Sequence, residues 1–506
     1  MRTIRIAQVL SRSILLASLA GCASAPPAPE APPVQIPPTP PPRPNIPDLV
    51  QNPTTKPPQL GPVKPLSVPP VVQRTLANGL RLFIVEQHEL PIADFILVAK
   101  TGSEADPPGQ EGLATLVAGM LDEGTTSRDA LQIADQIAFL GIRLSTSASW
   151  DAARVNLHTP TAQLDSALAL MADVALRPAF PQKELERLKQ ERLTTLLQIK
   201  DFGPALADLA YSHIVFGEQH PYGRPQIGTE KSTRETSAAH VREFYQTHYR
   251  PNNAALIVVG DVRPDEIQRK VERLFNGWTR GTVPPARFTT PAAAAQSTIY
   301  LIDKPGAAQS SFRLGLVGVD RATEDYFPIQ VMNTILGASF TSRLNQNLRE
   351  TKGYTYGARS GFDMRRSAGP FTAAAEIVTA KSDSALIEFL KELRGIREPV
   401  PQAELDKAKN YLQLQLPGQF ETTGDIAARL VPVALYNLPL DYFSTYSQKI
   451  GAVTAADVQR VAQQYVRPDR LHVVIVGDLK TIEQPIRALQ FGKVELRDVT
   501  GRPIVQ

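Results

Sequence analysis

An α+β fold in two homologous halves is the fold class this sequence predicts, and three observations predict it. Sequence anchors recur at a nearly constant offset. Tyr249-Arg250-Pro251 leading to Gly260-Asp261 returns as Val466-Arg467-Pro468 leading to Gly477-Asp478, so both the proline and the glycine shift by 217 positions. Pro181-Gln182, followed by Lys-Glu-Leu, returns as Pro401-Gln402, followed by Ala-Glu-Leu, a shift of 220. Between these anchors, strand-like alternation and helix-like periodicity interleave. Finally, residues 281–296, with their prolines and an alanine run, read as the linker between halves.

Length and composition agree with this. A chain of 506 residues exceeds what one core holds. Its 42% hydrophobic and 21% charged content is that of a globular protein. The net charge is +4, but basic residues are scattered among acids with no run of five, which excludes an electrostatic nucleic-acid footprint.

Residues 1–21 read as a secretory signal. Arg2, Arg5 and Arg12 precede the apolar run Ile14-Leu15-Leu16-Ala17, too short for a membrane span. The ending Leu19-Ala20-Gly21-Cys22 resembles the bacterial lipobox, which implies that Cys22 is lipidated and becomes the first mature residue. An ordinary signal peptide that happens to contain a cysteine is the plainer reading. Ala23 stands where enteric lipoproteins retained at the inner membrane carry Asp, so a lipid-anchored, periplasm-facing chain at the outer membrane is expected. Cys22 is the one cysteine, which excludes disulfides, thiolate metal sites and cysteine nucleophiles. Residues 22–72 form a low-complexity tether, with 19 of the 44 prolines between 23 and 72. Extended at about 3.1 Å per residue, it would reach on the order of 150 Å.

The two halves are expected at 73–280 and 298–506, joined by 281–297. Residues 81–85 and 93–98 read as strands around a Pro91 turn. Helical periodicity marks 130–140, stopped by Gly141, then 164–176 and 184–199. Residues 253–260 read as a buried strand, followed by a helix over 264–275.

Several short pieces carry a family resemblance: Leu76-Ala77-Asn78-Gly79-Leu80, Gly102-Ser103-Glu104, Gly112-Leu113-Ala114, Gly124-Thr125 and His220-Pro221-Tyr222-Gly223. The most specific is residues 335–357, ILGASFTSRLNQNLRETKGYTYG. From about residue 72 onward, the chain resembles the insulinase-like zinc metallopeptidases (inverzincins), in the two-domain bacterial and mitochondrial-processing-peptidase branch. The resemblance implies two similar α/β sandwich domains, with active assemblies facing two such pairs across a chamber.

Active members of that family carry His-x-x-Glu-His on a helix, two zinc ligands and a general base on one face. The flanking residues set the register, which puts Thr115, Ala118 and Gly119 at those positions. The family's third ligand, a Glu on a later helix, falls at Thr195, with Glu191 one turn away. No catalytic residue and no metal ligand is assigned to this chain. The seven histidines form no i,i+4 pair, and no Gly-x-Ser-x-Gly or Gly-x-x-x-x-Gly-Lys occurs.

The family's second half carries an Arg and a Tyr seven residues apart that contact substrate backbone and the attacked carbonyl. Arg349 and Tyr356 match, with Gly353 between them, and Tyr354 is the alternative tyrosine. Guanidinium donors and a phenol suit peptide carbonyls. The plainer reading makes Arg349 a helix-surface residue and Tyr356 a strand core residue. The resemblance therefore implies a non-catalytic, substrate-binding subunit of a heteromeric zinc peptidase. Zinc would sit on a paralogous partner, and peptide or unfolded polypeptide would be the substrate. The alternatives are a stand-alone scaffold or peptide-binding lipoprotein of the same fold, and an active peptidase with relocated ligands.

Overall fold

Two six-stranded sheets, built alike, form the framework. The computed structural model describes residues 68–292 and 294–504; the expected signal, the lipidated Cys22 and most of the tether lie outside them. The first sheet holds β1 (Val72–Thr75), β2 (Arg81–Glu86), β3 (Ile92–Ala99), β4 (Arg143–Ala148), β5 (Ala153–Pro160) and β6 (Ala254–Gly260), in the order β1-β2-β6-β3-β5-β4. The second holds β7 (Thr298–Asp303), β8 (Gln309–Val317), β9 (Thr355–Phe362), β10 (Pro370–Val378), β11 (His472–Gly477) and β12 (Lys493–Arg497), in the order β12-β7-β11-β8-β10-β9. Strands β7, β11, β8, β10 and β9 repeat β2, β6, β3, β5 and β4 in position and direction, with one parallel pair in each set. The sixth strand breaks the symmetry: β1 enters antiparallel to β2, whereas β12 arrives last and parallel to β7.

The expected elements fall where the periodicity puts them. Helices span Ala130–Leu140, Leu164–Leu176, Gln182–Asp201 and Pro264–Phe275. Strand β6, AALIVVG, is buried along its whole length because it lies inside the sheet and both its faces are covered. No helix or strand occupies the described residues between Phe275 and β7, in keeping with a linker there.

The alternation of side chains sends the two faces of each sheet to different cores. On the first sheet, Leu82, Phe95, Leu97 and Val258 pack under the helices of their own half. Phe83, Ile96, Val98 and Ile257 point the other way, into the core of the second half. What covers that face is the helix Thr423–Tyr436, which packs on β3 and β6. Reciprocally, the helix Gly203–Phe216 leaves the first half and packs on β8 and β11, where Leu206 and Tyr211 meet Tyr300, Val474 and Val476. Both ends of the two helices lie 220 positions apart, so the duplicated halves exchange equivalent helices.

Polar groups pin the exchange. Tyr211 donates its hydroxyl hydrogen to Phe371 O of β10 at 2.5 Å. A Cβ on Gly315 of β8 would lie 2.2 Å from that phenol oxygen, so only glycine admits the helix this closely. Thr423 donates to Asp94 at 2.6 Å. Half-buried Arg366 donates to Glu104 at 3.0 Å and to the carbonyls of Lys100 and Asp151.

Candidate functional site

The helix Leu113–Gly119 begins where Asp106 reaches over its N-terminus. The Asp106 carboxylate accepts from Gly112 N at 2.8 Å and Ala114 N at 2.7 Å, satisfying amides that no helical carbonyl can reach. Burial pushes the Asp106 carboxyl up to about 7, against the pull of these two amides. Beside the helix lies a cleft of about 400 Å³, lined among others by Thr115, Gly119, Glu191, Arg192 and Thr195. Four of the five positions expected at the metal site therefore border one cleft. Ala118 is fully buried against the core side of the helix.

None of these side chains suits a metal. Thr115 Oγ1 shares its hydrogen between Gly112 O at 3.0 Å and Gln226 O at 2.9 Å. Thr195 Oγ1 donates back to Glu191 O at 3.0 Å, as a helix-surface threonine does. The Glu191 carboxylate is taken by Arg187 at 2.7 Å. A Cβ on Gly119 would meet only Leu188, at 3.9 Å, so the space beside it is open and has no donor atom. A cation is nevertheless present. Arg192 donates from Nη1 to Gly112 O at 2.6 Å and from Nη2 to Thr115 Oγ1 at 3.0 Å. Burial lowers its pKa to about 10, with Asp106 opposing, so it stays charged at neutral pH. The guanidinium ties the helix Gln182–Asp201 to the helix Leu113–Gly119, the connection that a shared metal would otherwise make. Zinc does not fit here. Among the described residues, no group of three His, Cys, Asp or Glu side chains is placed to hold a metal.

Strand β4 lies alongside the same helix and forms the outer edge of the first sheet. At that edge β4, RLSTSA, pairs with β5 alone among the described residues, which leaves one row of its backbone donors and acceptors unpaired there. Gln226 and Ile227 line both the cleft and a second cavity of about 620 Å³, which runs on to β9 and β10.

In the second half, residues Gln346–Thr351 wind as a π-helical turn, and Gly353, at φ +65°, swings the chain into β9. Arg349 sits in that turn with its guanidinium 4.4 Å from the ring centre of Phe340. Its one carboxylate neighbour among the described residues is Glu350, at 3.4 Å. Tyr356, the second residue of β9, has 92% of its surface exposed, whereas Tyr354 is half-buried against the second core. That separates the two tyrosines: Tyr356 offers a free phenol, and Tyr354 is packing. Buried Asn345 braces the group, donating to Phe340 O at 2.6 Å and accepting from Ala358 N at 3.1 Å. Arg343, also in this motif, is structural, paired with Glu404 at 2.8 Å and bonded to Gly395 O. No hydrogen bond or ion pair among the described residues joins Arg349 or Tyr356 to the Leu113–Gly119 cleft.

Three participants escaped sequence reasoning. Asp106 stands six residues before the N-cap Gly112, too far along the chain for a capping pattern to reveal it. Arg192 lies three residues before Thr195, one helical turn along the same face. Phe340 carried no sequence signal.

The comparisons with known proteins fit this geometry. Residues 82–209 match the family model "Insulinase (Peptidase family M16)", and residues 236–412 match "Peptidase M16 inactive domain". An "Uncharacterized zinc protease" of Rickettsia bellii is 27% identical over 67% of this chain and 82% of its own length. The "Non-peptidase homolog YmxG" of Helicobacter pylori is 24% identical over 78% of this chain and 91% of its own. Among solved structures, the peptidase M16 inactive domain from Pseudomonas fluorescens superposes with a TM-score of 0.76 at 28% identity, covering 81% of this chain and 98% of that one. The first half of the periplasmic protease PqqL from Escherichia coli shares the fold, with a TM-score of 0.68 at 18% identity over 84% of this chain and 97% of that one. With the two family models matching more than half of its length in the expected order, the chain belongs to the insulinase family, peptidase family M16, as a member without the metal-binding side chains.

Proposed function

We propose that this chain is the non-catalytic, peptide-binding subunit of a heteromeric insulinase-like zinc metallopeptidase in the bacterial envelope. The observation that carries this reading is the contrast between the two halves. The first keeps the cleft, its capping carboxylate and an open sheet edge, but Arg192 stands among the positions expected to hold metal. The second presents Phe340, Arg349 and Tyr356 to solvent with little to occupy them inside the chain.

An extended peptide can add to the unpaired edge of β4, where main-chain hydrogen bonds give affinity without demanding a sequence. Arg349 supplies fixed N–H donors to carbonyls, and the Tyr356 phenol can donate to an oxygen that gains charge. Neither group cleaves a peptide. A zinc-bearing paralogue would provide that chemistry, and this chain would provide grip. The lipid anchor at Cys22 and the proline-rich tether would hold the assembly off the outer membrane.

The test is co-expression of this chain with a His-x-x-Glu-His paralogue and an assay of peptide cleavage. Arg349→Ala and Tyr356→Phe in this chain should each lower kcat/KM by at least about tenfold, the range expected for a lost transition-state donor. Full activity in the Arg349→Ala complex would sink the composite site. A stable homodimer that takes up no paralogue would favour a scaffold lipoprotein instead.

A further inference from the structure

A third cavity, of about 410 Å³, lies away from the Arg349 and Tyr356 element. Its walls come from the last turns of the helix Gln182–Asp201, from the helix Gly203–Phe216, from residues 223–234 and from residues 499–502. Leu193, Leu196 and Leu197 fall on one helical face, and Leu206 and Leu209 face them from the next helix. Leu193, Leu196, Leu197 and Leu209 pack into none of the three hydrophobic cores, and Leu197 is 59% exposed. Leu193, Leu196, Leu197 and Leu209, gathered around an open volume with no core to join, form with Leu206 a cavity shaped for an apolar guest. Its size lies within the range of roughly 300–1,000 Å³ typical of small-molecule sites.

The rim has a sign. Lys200, Lys231, Arg234 and Arg502 stand around the opening, with Glu230 as the one acid lining it among the described residues. Arg234 is paired with Glu230 at 2.9 Å, and Arg502 with Glu218 at 2.7 Å. Lys200 and Lys231 have no ion-pair partner among the described residues, and both are exposed. An extended peptide is a poor occupant, because among the described residues no strand of either sheet borders the cavity to pair with its backbone. A long acyl chain needs no such partner, and a terminal carboxylate would meet the two free ammonium groups.

We infer that this cavity binds one long-chain fatty acid, its chain among the leucines and its carboxylate at Lys200 and Lys231. The inference stands apart from the proposed peptidase role, since it uses neither the cleft nor Arg349. The guest would also touch Pro225, whose neighbours Gln226 and Ile227 line the cleft.

The experiment is titration of the purified chain with a fluorescent long-chain polyene fatty acid. Saturable one-to-one binding is expected. Leu196→Trp, which fills the cavity, should abolish it. The surface double variant Lys200→Glu/Lys231→Glu, which leaves the walls intact, should weaken it by about tenfold, a difference that shrinks at high salt. A long-chain alcohol should displace the probe far less well than a fatty acid of the same length. Absence of saturable binding, or binding that both variants leave unchanged, would overturn the proposal. So would an alcohol that competes equally, or an unfolded peptide that displaces the probe better than fatty acid does.

Discussion

Arg192 does with hydrogen bonds what a metal does with coordination in a site shared by two helices. Its two charge-assisted bonds, to Gly112 O and Thr115 Oγ1, join segments about 80 residues apart in sequence. Hydrogen bonds from a charged group each contribute about 1.5–3 kcal/mol, and Arg192→Met removes both of these, although Gly112 O keeps Leu116 N and Thr115 Oγ1 as donors. That substitution should lower the unfolding free energy by about 2–3 kcal/mol in urea titration; an unchanged midpoint would mean that the guanidinium is incidental. Phe340 matters differently, since it orients Arg349 from outside the core. A cation–π contact of this kind contributes about 0.5–1 kcal/mol. Phe340→Ala should therefore weaken peptide binding about two- to fivefold without shifting the melting temperature, and Phe340→Trp should restore it. The Arg349–Tyr356 spacing is visible in the sequence, because seven positions of turn and strand start are fixed locally. Arg192 and Phe340 acquire meaning only when another segment is brought against them.

The exchanged helices Gly203–Phe216 and Thr423–Tyr436 show the same limit in larger pieces. Apolar periodicity reveals that each helix buries a face, yet the same period serves any apolar partner. What directs each helix across is fit at single positions. Gly315 leaves room for the Tyr211 phenol, where a Cβ would stand 2.2 Å away, and 1.9 Å from Phe371 O. In the fold, Gly315 is a contact made possible by a missing side chain. Gly315→Ala should force the helix off β8 and cost more than about 3 kcal/mol, the scale of a severe overpacking. Tyr211→Phe, which removes the bond but keeps the ring, should cost only about 1 kcal/mol. Equal losses in the two variants, measured by thermal unfolding, would contradict this account.

The join between halves also carries a pH dependence. Burial raises the Glu104 carboxyl from an ordinary 4.5 to about 8, even though Arg366 stands 3.0 Å away and Gly102 N donates to it. The folded chain therefore keeps a proton there that the unfolded chain releases. That contribution to stability is complete below about pH 4.5 and is lost as pH rises toward 8. Melting temperature should fall from pH 5 to pH 8, more steeply in the native chain than in Glu104→Gln. Parallel profiles for the two proteins would show that Glu104 titrates as an ordinary surface acid. The duplicated architecture thus stores sensitivity at its seam, beside the helices that bind the halves together.

Much of this molecule is written locally. The apolar run of β6, the bounds of the helix Leu164–Leu176, the repeated Pro and Gly anchors and the missing His-x-x-Glu-His side chains depend on residue type and spacing. Covalent geometry converts those features into strands, helices and absent ligands wherever the chain is placed. Long-range packing settled the rest: which half each helix covers, which tyrosine stays in solvent, and which residue bridges the helices Leu113–Gly119 and Gln182–Asp201. Those outcomes follow from shape and charge meeting across distant segments, and a one-dimensional pattern holds no record of which surfaces will meet.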